Sequence, residues 1–401
     1  MSDTADLVVP VRRISSRGEH CFFGYYDIPA ADAAGRHLCH RVRFRDRFPT
    51  PDDAAILGWM PLPHCADDPQ TEIPFECFAE TRAWNFQQGA MLQWLSSEPD
   101  TCLYNIFEGG QFGACRHNVR TGTRRRFPLP VANVSQDGTK ALGINMARLF
   151  DFRPGYGYED APDPFTDVAA PNDDGIFLMD LITGDVRLSV SLAEIVDFLE
   201  KSGEKIAGHK VLVNHVTFNP SATRYLFLLR TFPKAPGAAW ATFLLTADTA
   251  GGGLRNHPVW GLASHYHWRD DDGMLFYANA TGADGLELML ISDGTDERRI
   301  IDRSFFRQDG HCSYSRDRRW ILYDSYPDQD TMRPLQIYSL DRGEGFTLGR
   351  FRSESTTSKT TDLRCDLHPR WMPDDLSITF DSIHEGYRGV YWVDLRAIVG
   401  N

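Results

Sequence analysis

Gly310-His-Cys-Ser-Tyr-Ser-Arg-Asp-Arg-Arg-Trp-Ile-Leu-Tyr-Asp-Ser-Tyr326 reads as a short strand, a polar reversal and a second, apolar strand. The same phrase returns along the chain, and a recurring phrase decides the fold before any single element does. Clear copies start at Asn214, Ser264 and Leu367, and weaker ones at Met91 and Ala132. A looser first copy runs from Gly24 to Leu38, which makes seven. In four of them a histidine stands three residues ahead of an aromatic: His215/Phe218, His265/Trp268, His311/Tyr314 and His368/Trp371. With only 13 histidines among 401 residues, that register is not a composition effect.

Third strands follow most copies, as in Gly175-Ile-Phe-Leu-Met-Asp-Leu181 and Gly389-Val-Tyr-Trp-Val-Asp-Leu395. Turn residues such as Thr183-Gly184-Asp185 close several of them, which favours hairpins. Short strands separated by Asp/Gly/Pro reversals, seven times over, predict an all-β chain. The expected fold is a seven-bladed β-propeller of four-stranded blades, a single domain over 1–401. The seventh copy ends after its third strand, and Leu7 to Ile14 is β-like without a partner in the first blade. This N-terminal strand is expected to close the ring as the fourth strand of blade seven, leaving no open sheet edge. Two irregularities interrupt the pattern. Residues 147–174 form a long Pro/Gly/Asp-rich insertion on the top face of blade three. Residues 191–201 place Leu192, Ile195, Val196 and Leu199 at helical spacing behind a serine cap, so a short amphipathic helix is expected.

The chain carries 42 basic and 55 acidic residues, a formal charge of -13, which argues against nucleic acid or an anionic membrane as partner. Eight cysteines without a C-x-x-C pair fit free thiols of a reducing compartment. Neither a signal core nor a membrane-length apolar run is present, so a cytoplasmic location is expected. No Gly-x-Ser-x-Gly, P-loop or dinucleotide fingerprint occurs, and no nucleotide or organic cofactor is expected.

In a propeller, inner strands start at one end of the central channel, and second strands return to it. The four histidines and residues such as Asn105, Arg148, Arg230, Asn279, Asp324, Tyr326, His384 and Glu385 are therefore expected together there. Imidazoles so gathered can share one ion, and neutral ring nitrogen suits Mn, Fe, Ni or Zn better than Ca or Mg. His215, His265, His311 and His368 are the candidate ligands, with Gln88 (or Gln87) completing the shell. His267, on the same strand face as His265, is a further ligand or base. Structural histidines bonding to neighbouring blades are the alternative. Trp84, Asn85 and the Tyr25-Tyr-Asp27 turn are candidate sugar contacts, or else packing between blades.

The pattern His-x-x-aromatic-x-Pro/Arg-Asp at the starts of late blades resembles the oligogalacturonate lyase family of seven-bladed, TolB-related propellers. That resemblance implies a manganese-like ion held by His265, His311 and His368, then His215, with a glutamine. It implies a catalytic arginine just past the second strand of blade three, where Ala141-Leu-Gly-Ile-Asn-Met-Ala-Arg148 places Arg148. The family's base is a histidine in the following segment. Here no histidine occurs between His117 and His209, and Tyr156 and Tyr158 stand there instead. The implied chemistry is β-elimination on a uronate sugar: metal and Arg148 neutralise the carboxylate, while a tyrosinate or neutral histidine takes the α-proton. Arg230, Tyr326 and His384 complete the candidate contacts to an acidic oligosaccharide. A glycoside hydrolase, or a non-catalytic propeller binding a protein or sugar, are the other readings open at this stage.

Overall fold

A computed structural model describes residues 5–7, 9–63, 71–235, 238–259, 262–279, 285–295, 297–354 and 364–400. Seven four-stranded antiparallel sheets follow one another along the chain, the arrangement of a seven-bladed β-propeller. Blade 1 comprises His20–Phe22, Arg36–Val42, Ala55–Pro61 and Glu76–Thr81, and blade 2 Gln93–Trp94, Thr101–Glu108, Gln111–Asn118 and Arg124–Phe127. Blade 3 is Asn133–Val134, Lys140–Gly143, Gly175–Asp180 and Val186–Ser191, and blade 4 Val211–Phe218, Arg224–Thr231, Thr242–Asp248 and Gly252–His257. Blade 5 is Ala263–Trp268, Gly273–Ala278, Glu287–Ser292 and Arg298–Ile300. Blade 6 is Cys312–Tyr314, Trp320–Asp324, Met332–Ser339 and Glu344–Arg352. Blade 7 is Arg370–Trp371, Ser377–Ser382 and Gly389–Asp394, completed by Val11–Arg13 from the N-terminus.

That closure is antiparallel, with Val11 opposite Val393 and Arg13 opposite Tyr391. A second N-terminal strand, Ala5–Asp6, was not legible in the sequence. It adds in parallel to the outer strand of blade 6, opposite Phe346 and Thr347, and covers an edge that would otherwise be open.

The chain divides into two compact units. One comprises Met1–Trp94, His265–His267 and Asp302–Asn401, and the other Leu95–Ser264 and Trp268–Ile301. In the first unit, Leu322, Ile337, Leu348, Leu367, Ile378 and Val393 form one apolar core between sheets. In the second, Leu226 to Leu229 are all fully buried, so this second strand is covered on both faces. Strand position explains the pattern: outer strands such as Arg124–Phe127 keep alternate residues in solvent.

The expected helix spans Leu192–Lys201, with a complete capping box between Ser191 and Glu194 and with Leu192, Ile195 and Leu199 buried. The insertion begins as a second helix, Met146–Phe152, capped by Asn145. Seven described cysteines are free thiols. Among the described residues no helix is long and apolar enough to cross a membrane.

Candidate metal centre

The opening stretch of blade 6 builds the centre. A Cβ on Gly310 would stand 1.5 Å from the Asp324 carbonyl oxygen, so only glycine lets the two strands approach here. The approach brings the Asp324 carboxylate under His311, where Oδ1 accepts both the His311 backbone N–H (2.8 Å) and its Nδ1–H (2.8 Å). The other oxygen accepts the backbone N–H of His368 at 3.2 Å. One fully buried carboxylate therefore fixes two histidines from neighbouring blades. Burial pushes the Asp324 carboxyl upward, opposed by the Arg333 guanidinium 3.8 Å away.

His368 reaches this centre through an irregularity. Three residue steps lead from Leu367 to Arg370, while their partners Asp381 and Thr379 are two apart, so the inner strand carries one extra residue. His368 sits within that bulge at φ 43°, and a bulge re-aims the side chain it carries. Its Nε2 lies 3.1 Å from His311 Nε2. With Asp324 holding the His311 proton on Nδ1, the lone pair of His311 is on Nε2, so a proton or a cation fills this contact. Two nitrogens bound to one first-row ion at about 2.1 Å stand about 3.0 Å apart at adjacent octahedral corners and about 3.4 Å apart at tetrahedral ones, and the observed 3.1 Å falls within that range. Deep burial, and the positive neighbours around them, push both imidazoles well below the ordinary histidine value. That direction favours the neutral ring, the form that ligates.

Asp366 is the third group. His311, Asp366 and His368 form the one cluster among the described residues whose ligand atoms all lie within 4.8 Å of one another. Burial works against the Asp366 carboxylate, but Arg364 and Arg333 outweigh it and hold the carboxyl well below its usual range. Arg333 contacts Oδ1 at 2.6 Å and Arg364 contacts Oδ2 at 3.3 Å, with His368 Nε2 3.9 Å from Oδ2. Carboxylate-oriented imidazole is the arrangement that tunes metal ligands, and the donor set suits a divalent transition ion.

His265 stands beside this cluster rather than in it. Its ring centroid is 3.9 Å from that of His311, and Asp309 takes its Nδ1 at 2.9 Å. The expected fourth ligand, His215, belongs to the other unit. It occupies a bulge of its own at φ 64° and packs edge-on against Tyr156 at 5.4 Å.

Tyr25 and Tyr26 were expected ahead of an inner strand. They follow one instead: His20–Phe22 breaks at Phe23, and the chain bulges out before bridging again at Ala31. Asp381 anchors the break by accepting the N–H groups of Phe23 and Gly24 while pairing with Arg370 at 2.8 Å. Tyr26 then donates its hydroxyl to the Tyr266 carbonyl (2.5 Å) and accepts the Tyr266 N–H (3.1 Å). Its ring lies 5.1 Å from His311, and that of Tyr25 lies 5.1 Å from His368. These rings cover the imidazoles, leaving His311 and His368 only 1% and 2% exposed.

The other candidates take different places. Tyr326 is near the centre, its ring 6.1 Å from His265 and its N–H bonded to the Asp309 carbonyl. His267 accepts the Tyr314 N–H on Nδ1 at 3.4 Å. Gln88 donates its backbone N–H to Asn85, and its carbonyl group packs on Gly24. Asn85 is fully buried, accepting the N–H groups of Gln87 and Gln88 to close a turn. His384 is exposed on a turn of blade 7 beside Tyr391. Arg230 is buried near the end of its strand in blade 4.

Three expectations need correction on physical grounds. Arg148 spends all five N–H donors inside the protein, on Asp163, Phe165, Val168, Ala169 and Val211, which leaves none for a substrate carboxylate. Tyr158 is buried, with its hydroxyl accepting from Asn105, and burial pushes its pKa up rather than down, the wrong direction for a tyrosinate base. Trp84 is core: its indole N–H bonds the Asp53 carbonyl and its ring packs on Phe22 and Phe86.

Asp309, Asp366, Arg333 and Arg364 were missed. A signal was present, since an aspartate stands two residues before the histidine in Asp309-Gly-His311 and Asp366-Leu-His368.

No family model and no curated protein matches the chain. Among solved structures it is similar to an oligogalacturonate lyase in complex with manganese, at 15% identity and TM-score 0.67 over 98% of this chain and 95% of that one. An oligogalacturonate lyase from Vibrio parahaemolyticus matches at 12% identity and TM-score 0.64, over 98% of each chain. A puromycin-hydrolyzing peptidase from Mycobacterium tuberculosis matches at 10% identity and TM-score 0.56, over 99% of this chain but 56% of that one. At such identities the likeness shows the fold: over nearly its whole length, the chain folds as these lyases do.

Proposed function

We propose that the protein is a metal-dependent lyase that cleaves uronate-containing oligosaccharides by β-elimination. The observation that carries this reading is the imidazole cluster: carboxylates hold His311 and His265 on Nδ1, and the Nε2 atoms of His311 and His368 lie 3.1 Å apart. His311 and His368 hold the ion, with Asp366 beside them. Bound there, a divalent transition ion such as manganese supplies a Lewis acid for the uronate carboxylate.

The remaining work falls to the chain's own groups. His265 keeps its Nδ1 proton on Asp309 and presents Nε2 as the general base that removes the proton α to the carboxylate. The C–H electron pair forms the new double bond as the glycosidic C–O bond at the β position breaks, and the departing oxygen takes a proton from solvent water. Arg333 and Arg364 balance the charge of Asp366, and Tyr25 and Tyr26 keep water from the imidazoles. His267 is the second candidate base. The burial of His311 and His368 favours one other reading, a structural ion in a non-catalytic propeller that binds an acidic sugar.

Incubation with oligogalacturonate and manganese distinguishes the two. The lyase reading predicts growing ultraviolet absorbance from an unsaturated uronate, and His265→Ala lowers kcat by about 10²–10⁴-fold with metal content unchanged. Metal-loaded protein that gives no unsaturated product from any uronate oligosaccharide belongs to the second reading.

A further inference from the structure

The innermost strand of blade 5, Ala263–Trp268, carries His265, and among the described residues it pairs with a neighbouring strand on one side only. Along such a strand, successive residues turn their backbone N–H and C=O groups to alternate edges. Tyr266 is buried, so its two groups need partners within the protein. One side-chain atom supplies both. The Tyr26 hydroxyl donates to the Tyr266 carbonyl at 2.5 Å and accepts the Tyr266 N–H at 3.1 Å. Tyr26 comes from the break in blade 1, and blades 6 and 7, which carry His311 and His368, stand between blades 5 and 1 around the ring. The residue that it grips lies directly between His265 and His267.

The other end of this short link is clamped to blade 7. Asp381 accepts the N–H groups of Phe23 and Gly24, and the Arg370 guanidinium, paired with Asp381, donates to the Gly24 carbonyl at 3.3 Å. Both clamping residues stand next to the metal ligand His368. The Asp381 backbone N–H bonds the carbonyl of Leu367, and Arg370 follows His368 along the same inner stretch. Gly24 adopts φ 125°, and a Cβ there would stand 2.9 Å from the Gln88 carbonyl carbon, so the turn is held tightly. From Gly24 to Tyr26 the chain therefore joins the surroundings of His368 to the strand of His265, with the Tyr26 ring 5.1 Å from His311 on the way. Water exclusion needs only the ring. The hydroxyl, with its two bonds to one strand residue, has a separate task.

We propose that Tyr26 is a positioning residue: through the backbone of Tyr266 its hydroxyl holds His265 at a set distance from the ion site between His311 and His368. Asp309 turns the His265 ring, and Tyr26 places the strand that carries it. Its catalytic consequence rests on the reading of His265 as the base, because a base displaced by about 1 Å from its proton loses much of its rate.

The test compares the parent with Tyr26→Phe, which removes the hydroxyl and keeps the ring over His311. Both proteins are loaded with cobalt, and the histidine ring protons are followed by NMR, with the His265 resonance identified by its loss in His265→Ala. The shift that a paramagnetic ion imposes on a proton depends on distance and direction, so a displaced His265 reports itself without substrate. In Tyr26→Phe the His265 resonance moves, those of His311 and His368 stay, and cobalt affinity is unchanged. Amide exchange within 263–268 quickens by about 10–100-fold. On oligogalacturonate with manganese, kcat falls by about 10–100-fold while KM holds. An unmoved His265 resonance, a loss of cobalt affinity, or full kcat in an active enzyme overturns the proposal. So does a Tyr26→Phe chain that does not fold, because the hydroxyl then serves the fold. A moved His265 resonance in a protein that yields no unsaturated sugar supports the positioning role and rejects the lyase reading instead.

Discussion

Two buried polar clusters, one in each unit, show what burial of charge does and does not signify. In blade 3, Arg148 binds Asp163 at 2.9 Å and four carbonyl oxygens, while Asn145 bridges Asp163 and Asp174. Each Arg148 donor meets an acceptor within the protein, so the cluster's task ends with fastening the insertion. Around His311 and His368, Asp324 takes the His311 Nδ1 and the His368 backbone N–H, and the two Nε2 atoms face each other. Groups pre-positioned by buried partners yet not exhausted by them distinguish a site from a strut.

The comparison is broken most forcefully at the strut. Asp163→Asn strands a guanidinium that is 1% exposed, and loss of one partner of a buried pair costs about 3–5 kcal/mol. Chemical denaturation is expected to show that loss, with manganese affinity unchanged. An Asp163→Asn protein as stable as the parent, or one that has lost its metal, would contradict the division of roles drawn above.

A smaller effect sharpens the contrast among histidines. His37 meets the Thr379 hydroxyl and His40 accepts the Ala90 N–H, with no carboxylate of the described residues on either ring. Burial lowers His37 to about 3 and His40 to about 4. A lowered folded value means that the unfolded chain binds protons first. Stability is therefore complete above the ordinary histidine value and declines as pH falls from about 6.5 towards 4. Each ring contributes about 2 kcal/mol of that decline by pH 5. Denaturation midpoints across this range should show a shallower slope in His40→Gln; an identical slope would mean that His40 contributes nothing to the decline.

The fold was legible because repetition reports on architecture even where single strands are short. Gly175–Asp180 and Gly389–Asp394 start and end within a residue of the third strands read from the sequence, and Val11–Arg13 closes blade 7 as expected. The centre was legible only in part. His311 and His368 declared themselves by register, but their meeting depends on a bulge at His368 and their cover on a break after Phe22, and an inserted residue leaves no periodic mark. Asp309 orienting a histidine of the preceding blade is a contact between repeats, which repeat spacing does not encode. Arg148 misled for the opposite reason: its position in the repeat was right, but its five acceptors come mostly from an insertion that has no repeat.

Metal analysis of protein purified without chelator tests the central claim most directly. One divalent transition ion per chain is expected in the wild type, absent from His311→Ala at an unchanged far-UV circular dichroism spectrum. Wild-type protein that is metal-free and gives no heat on titration with manganese, zinc, iron or nickel would contradict it, leaving a hydrogen-bonded pair of imidazoles in a propeller of another purpose.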